Sequence, residues 1–187
     1  MEQYRNIAVF AGSLRKDSFN RKVAETLIEA APKTLKMEII GIGDIPLYNE
    51  DLETGTPPPQ WTALRERIRK ADGVLFVTPE YNRSVPAMLK NVLDVTSRPY
   101  GKNVWNGKPG GIVSVTPGGL GAFGANHHLR QSCVFLNILL LQQPEAYISG
   151  AGALFDADGK MTNDGTRSFL AAFMKSYASW VEKLLAV

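Results

Sequence analysis

Three short runs of this chain are apolar at nearly every position: NIAVFAG (6–12), GVLFVTP (73–79) and the GGIVSV within KPGGIVSVTPGG (108–119). A strand with one wet face alternates apolar and polar residues, whereas a strand without alternation is buried on both faces. Strands of that kind belong to parallel sheets covered by helices on either side, which sets aside all-β and all-α folds. Between the runs lie patterns of helical period. Val23, Leu27 and Ala30 mark a helix over 19–30, with Pro32 just past its end. Further helices are predicted over 61–71, over 84–99 with Pro86 in the first turn, and over 124–141. A last one over 163–186 carries Phe169, Phe173, Tyr177, Trp180 and Leu184 along one stripe, read as core. Residues 35–43 and 145–150 read as further strands, and 44–60 as a loop because of three consecutive prolines.

Five β–α units without repeat or change of composition predict one doubly wound α/β domain over residues 1–187. Right-handed crossovers put the C-terminal ends of all strands on one edge, where ligands of such sheets bind. That rule selects the loops 12–20, 79–84 and 116–124. A net charge of +3 without a cluster of Lys, Arg and aromatics gives no nucleic-acid surface. The single cysteine, Cys133, permits no intrachain disulfide and suits a reducing compartment. Its apolar surroundings predict a buried thiol. The longest apolar stretch, 133–141, is far short of a membrane span, and MEQYRNIAVF holds no apolar leader. The expectation is a cytoplasmic protein with neither membrane nor nucleic acid as partner.

The first loop, GSLRKDSFN (12–20), collects donors between a strand and a helix. Ser13 and Ser18 offer hydroxyls, Asn20 an amide and Arg15 a forked cation, while the helix start adds free N–H groups and a positive dipole end. An N-cap accounts for Ser18 alone but not for the whole set, which predicts a phosphate seat. No Gly-Lys-Ser/Thr follows, so it is not an ATP-binding P-loop; it also lacks the three glycines of a dinucleotide fingerprint. One terminal phosphate, as on a mononucleotide, fits. The second loop, TPEYNRSVP (78–86), holds an extended backbone between two prolines and offers Tyr81 as a stacking face. Glu80 and Asn82 are placed to fix its shape by bonding backbone, or, for Asn82, to meet a ligand.

Gly-Ser-Leu-Arg-x-x-Ser-Phe-Asn (12–20), Pro-Glu-Tyr-Asn-x-Ser-x-Pro (79–86) and LKNVLD (89–94) resemble the NADPH-dependent FMN reductase family. DIPLYNEDL (44–52) and HHLRQ (127–131) extend the likeness over nearly the whole chain. The resemblance implies a flavodoxin-like, doubly wound five-stranded parallel sheet of order 2-1-3-4-5 with helices on both faces. It implies FMN as cofactor and NADPH or NADH as co-substrate. Ser13, Arg15, Ser18 and Asn20, with the amide of Phe19, would hold the phosphate. Pro79, Glu80, Tyr81 and Asn82 would flank the isoalloxazine ring, and Ser114, Thr116, Pro117, Gly118 and Gly119 would meet its other side. Arg83 stands where some relatives carry an aromatic, a change that suits anionic substrates.

GLGAFG (119–124) matches G-x-G-x-x-G, but the acid that would serve it, Glu145, begins the next strand at the wrong edge of the sheet. These glycines are expected to admit the flavin and nicotinamide instead. His127 and His128 are neighbours on a helix, pointing about 100° apart, and read as surface or interface residues. The implied reaction is a ping-pong transfer from NAD(P)H to a small electron acceptor such as a quinone, azo compound, chromate or flavin, with no side chain assigned as catalytic. A flavodoxin-type electron carrier and a nucleotide-binding module without redox work are the rival readings. Relatives form dimers or tetramers, so a homodimer or homotetramer is expected, with 84–96 and 98–107 as its contact surface.

Overall fold

Strand β1 (Arg5–Ala11) lies inside the sheet, paired in parallel with β2 (Leu35–Ile39) on one side and β3 (Gly73–Thr78) on the other. The computed structural model describes residues 4–186; residues 1–3, the start of the segment read above as lacking a leader, lie outside the described residues. β4 (Pro109–Val115) extends the sheet beyond β3, and two short strands, β5 (Leu139–Leu140) and β6 (Ala146–Ile148), both pair with β4. The order is the expected 2-1-3-4-5, every pair is parallel, and the fold is flavodoxin-like.

Two cores explain the non-alternating strands. Ile7, Val9, Leu75, Val77, Val113 and Val115 point towards α1 (Phe19–Ala30) and α5 (Asp164–Leu185). Ala8, Phe10, Val74, Phe76 and Ile112 point towards α2 (Pro59–Lys70), α3 (Ala87–Thr96) and α4 (Phe123–Phe135). Every second residue meets one helical layer and its neighbour meets the other, so both faces are predominantly apolar. Each fully buried aliphatic or aromatic side chain here contributes about 1.5–3 kcal/mol relative to exposure. On α5, Phe173 and Tyr177 of the predicted stripe are buried with Leu170, Met174 and Val181, and the Tyr177 hydroxyl donates to the Val74 carbonyl at 2.9 Å.

Several boundaries differ from the sequence reading. α2 starts at Pro59, so the last of the three prolines opens a helix rather than forbidding one; its missing N–H would be unpaired there anyway. α3 begins only after Pro86, which is its N-cap, and stops at Thr96. The predicted helix over 124–141 ends at Phe135. Asn137 takes a left-handed φ of 55°, the chain reverses, and the remaining leucines form β5 against Pro109 and Gly110. The fifth sheet position is therefore a split strand. β2 ends at Ile39, yet Ile40 and Ile42 stay buried as the chain runs to the sheet edge. Cys133 is fully buried, which pushes its thiol up to about 12. Among the described residues no helix is long and apolar enough to cross a membrane.

Candidate functional site

The strand ends of β1, β3 and β4 bring the three selected loops to one cleft of about 120 Å³. It is lined by Ser13, Arg15, Ser18, Phe19, Asn20, Pro79, Glu80, Tyr81, Thr116 and Pro117, together with Val115. Ten of the residues singled out in the sequence thus line one cleft. Val115, the last residue of β4, was missed because nothing but its position marks it. Drug-sized pockets enclose ~300 Å³ or more, so this cleft encloses only one end of a ligand and leaves the rest on the open sheet edge.

The first loop gathers donors at the N-terminus of α1. Ser18 caps α1, its Oγ accepting from Arg21 N at 3.3 Å, and the first-turn N–H groups of Phe19 and Asn20 remain free. Ser13 Oγ accepts from Arg15 N at 3.4 Å, a weak contact that folds the loop back while the Arg15 side chain stays in solvent. Asn20 is buried and its Oδ1 has no partner, a state that a donor from a bound molecule relieves. FMN fits this donor set: its phosphate would accept from the helix N-terminus and Arg15, and a ribityl hydroxyl would donate to the Asn20 amide oxygen. A prop unseen in the sequence steadies the seat. Phe19 stacks on Phe155 with ring centroids 6.3 Å apart, and the Lys22 ammonium lies over both rings.

Gly12 joins the first loop to the second, because a Cβ there would sit 2.9 Å from Pro79 Cδ. The second loop is a two-residue hairpin closed by Tyr81 N to Ser84 O at 3.0 Å and Ser84 N to Tyr81 O at 2.9 Å. Its central residues, Asn82 and Arg83, are both left-handed, with φ of 50° and 66°. Tyr81 is half exposed at the cleft, while Asn82 shapes the turn and does not line it. Glu80 lines the cleft and ties it to α4: Oε2 accepts from Ala125 N at 3.0 Å in the first turn of α4, and Oε1 pairs with Arg83 Nη1 at 3.2 Å. His128 Nδ1 meets Ser84 Oγ at 3.0 Å, so α4 holds the hairpin at two points.

The third loop is tied to the end of β6. Thr116 N donates to Ile148 O at 2.9 Å, Gly150 N to Gly118 O at 3.1 Å, and Ser149 Oγ to Gly119 O at 3.1 Å. Thr116 and Pro117 reach the cleft; Gly118 and Gly119 are exposed beside it. Ser114 does not reach it. Its hydroxyl is fully buried, donates to Gly121 O at 2.6 Å and accepts from Asn126 Nδ2 at 3.2 Å, so it braces the loop from below. Two of the three glycines of GLGAFG have a packing reason, whereas a Cβ at Gly119 would meet nothing within 4 Å. At Gly121, φ is +58° and a Cβ would lie 2.6 Å from Tyr147 Cβ; at Gly124 it would lie 2.9 Å from Glu80 Oε2. Glu145 precedes β6 and accepts from Tyr147 Oη at 2.8 Å, away from any ribose position. Burial and Glu145 push the Tyr147 hydroxyl up to about 12, and His127 Nε2 lies 2.9 Å from it on the surface.

Residues 5–153 match the family described as NADPH-dependent FMN reductase. The chain belongs to that family. Among its relatives, a quinone reductase of Pseudomonas putida is 58% identical over 187 residues, covering 100% of both chains. The 2-hydroxy-1,4-benzoquinone reductase of a Burkholderia species is 46% identical over 94% of this chain and 95% of the other. Among solved structures, the flavoenzyme NAD(P)H:(acceptor) oxidoreductase FerB of Paracoccus denitrificans superposes with a TM-score of 0.89 at 40% identity, covering 96% of this chain and 98% of that one. As an NADPH-dependent FMN reductase, the protein is an oxidoreductase that uses FMN with NAD(P)H as co-substrate. The electron-carrier and non-redox readings fall away with that membership.

Proposed function

We propose that this family member is an NAD(P)H:quinone reductase whose flavin phosphate sits on the β1–α1 loop and whose ring lies across the strand ends of β3 and β4. The observation that carries the reading is the convergence of the three loops on one small cleft with a free helix N-terminus at its base. The names of the two relatives given above support a quinone as acceptor. When bound, FMN supplies the redox chemistry, taking hydride from NAD(P)H and passing two electrons to the acceptor.

The chain positions and biases that chemistry. Ser13, Ser18, Asn20, Arg15 and the Phe19 N–H hold the phosphate, fixing the ring's distance from the sheet. Tyr81 and Pro79 flank the ring, and Glu80 and Asn82 keep them in place through α4 and the left-handed turn. On the other side Thr116, Pro117, Gly118 and Gly119 present backbone, braced by Ser114. The rest of the ligand lies outside the cleft, so nicotinamide and acceptor share one open face in turn, which makes the cycle ping-pong. A homodimer in the cytoplasm completes the reading. Tyr100 and Phe135, 89% and 88% exposed, rim a groove between the C-terminal ends of α3 and α4, a face suited to a second copy of this chain.

Steady-state rates of the FMN-loaded protein with NADPH and 1,4-naphthoquinone, both varied, test the proposal. Parallel double-reciprocal lines are the expected result. Absence of quinone-dependent NADPH oxidation refutes the activity, intersecting lines refute the shared face, and a monomer in light scattering refutes the dimer.

A further inference from the structure

Arg83 stands in a backbone conformation that an arginine does not favour. A two-residue hairpin with both central residues left-handed takes Asn then Gly; Asn82 obeys and Arg83 occupies the glycine position at φ 66°. Strained non-glycine positions of this kind cluster at functional sites, where the side chain is kept for what it does. Its surroundings show what this one can do. It is the only charged residue besides Glu80 in the loops 79–84 and 114–124 that border the proposed ring seat. The side chain is 73% exposed and makes one contact, to Glu80 Oε1 at 3.2 Å. The other Glu80 oxygen already serves the Ala125 N–H. A guanidinium carries five donors, so most of this fork faces solvent at the tip of the hairpin that presents the half-exposed Tyr81.

We propose that Arg83 selects electron acceptors that carry an ionised oxygen, quinones with a deprotonated ring hydroxyl in particular. This rests on the ring placement proposed above. The planar fork pairs with an enolate oxygen and the adjacent carbonyl in two parallel hydrogen bonds, a geometry a lysine cannot copy in full. The redox step itself is unchanged: a hydride from NAD(P)H and one solvent proton convert the two carbonyls to hydroxyls. A further solvent proton neutralises the substituent oxygen, because reduction removes the conjugation with the carbonyl that made it acidic.

The test compares 2-hydroxy-1,4-naphthoquinone, an anion at neutral pH, with uncharged 1,4-naphthoquinone, using FMN-loaded wild type, Arg83→Gln and Arg83→Lys. In Arg83→Gln the anion-to-neutral ratio of kcat/KM falls about tenfold, chiefly through the KM of the anion, as loss of one charge-assisted contact requires. Arg83→Lys recovers part of it. The Kd of the anion for the oxidised protein, measured calorimetrically, weakens by a similar factor and loses its salt dependence. Arg83→Gly gives an unfolding midpoint at or above that of wild type, showing that the fold does not need the arginine. A ratio within twofold of wild type in Arg83→Gln, a change confined to the KM for NADPH, or a midpoint lowered in Arg83→Gly would each overturn the inference. Wild type that reduces neither quinone would instead overturn the proposed function beneath it.

Discussion

Replacing Gly12 by alanine should damage the cofactor seat without touching a single predicted ligand contact. A Cβ at that position meets Pro79 Cδ at 2.9 Å, Leu89 Cδ2 at 3.2 Å and Thr78 Cα at 3.5 Å. Carbon atoms pack best at ~3.5–4.0 Å, so the first and second loops must part by about 0.6 Å or more. Leu89 can rotate, but the proline ring and the end of β3 cannot, and overpacking of this kind costs about 1–3 kcal/mol. Taking about 2 kcal/mol, the apoprotein loses about 4–8 °C of unfolding midpoint at this chain length. Spreading the loops also misaligns the phosphate contacts, and the Kd for FMN, read by quenching of flavin fluorescence, rises about tenfold. Gly41→Ala is the control at the neighbouring strand end: nothing lies within 4 Å of its Cβ, and it should stay within about 0.5 kcal/mol of wild type. Gly12→Ala behaving like that control in both assays would refute the reasoning that these loops are locked together at Gly12.

Gly121→Ala combines a left-handed φ of 58° with a Cβ 2.6 Å from Tyr147 Cβ, where backbone cannot yield. It should destabilise the protein by about 3 kcal/mol in urea unfolding. Cys133 should not react with a thiol reagent at pH 8 until denaturant is added. Burial raises its thiol from 9.0 to about 12, so the folded protein keeps a proton that the unfolded chain releases. The corresponding stability is complete below pH 9 and is lost as pH rises towards 12, which urea titrations at pH 8 and 10.5 will show as a falling midpoint.

How far the sequence was legible follows from which facts are local. β1, β3 and β4 declared themselves because burial on both faces removes the apolar–polar alternation of a strand, and their ends then located the three loops. The run 133–141 was misread because a short apolar segment has the same appearance in a helix and in a buried strand. What divides it is the left-handed Asn137, whose φ shows only in the fold. Ser13, Arg15, Ser18 and Asn20 were legible as one group because their types and short spacing set them in a single loop, which the fold brings to one cleft. Glu80 was read as fixing its loop through backbone and does so at Ala125 N, whereas Ser114 was read as meeting the ligand and instead braces Gly121. The Glu80 contact joins residues 45 apart and the stack of Phe19 on Phe155 joins residues farther apart still, which no local pattern announces.

The phosphate seat is the claim on which the rest depends, and the affinity of the apoprotein for FMN relative to riboflavin tests it most directly. The two ligands differ only in the phosphate. A dianion held by a helix N-terminus and an arginine should make FMN bind at least about a hundredfold more tightly, and Arg15→Gln should erase much of that preference. Equal affinities for FMN and riboflavin in the wild-type protein would contradict the account.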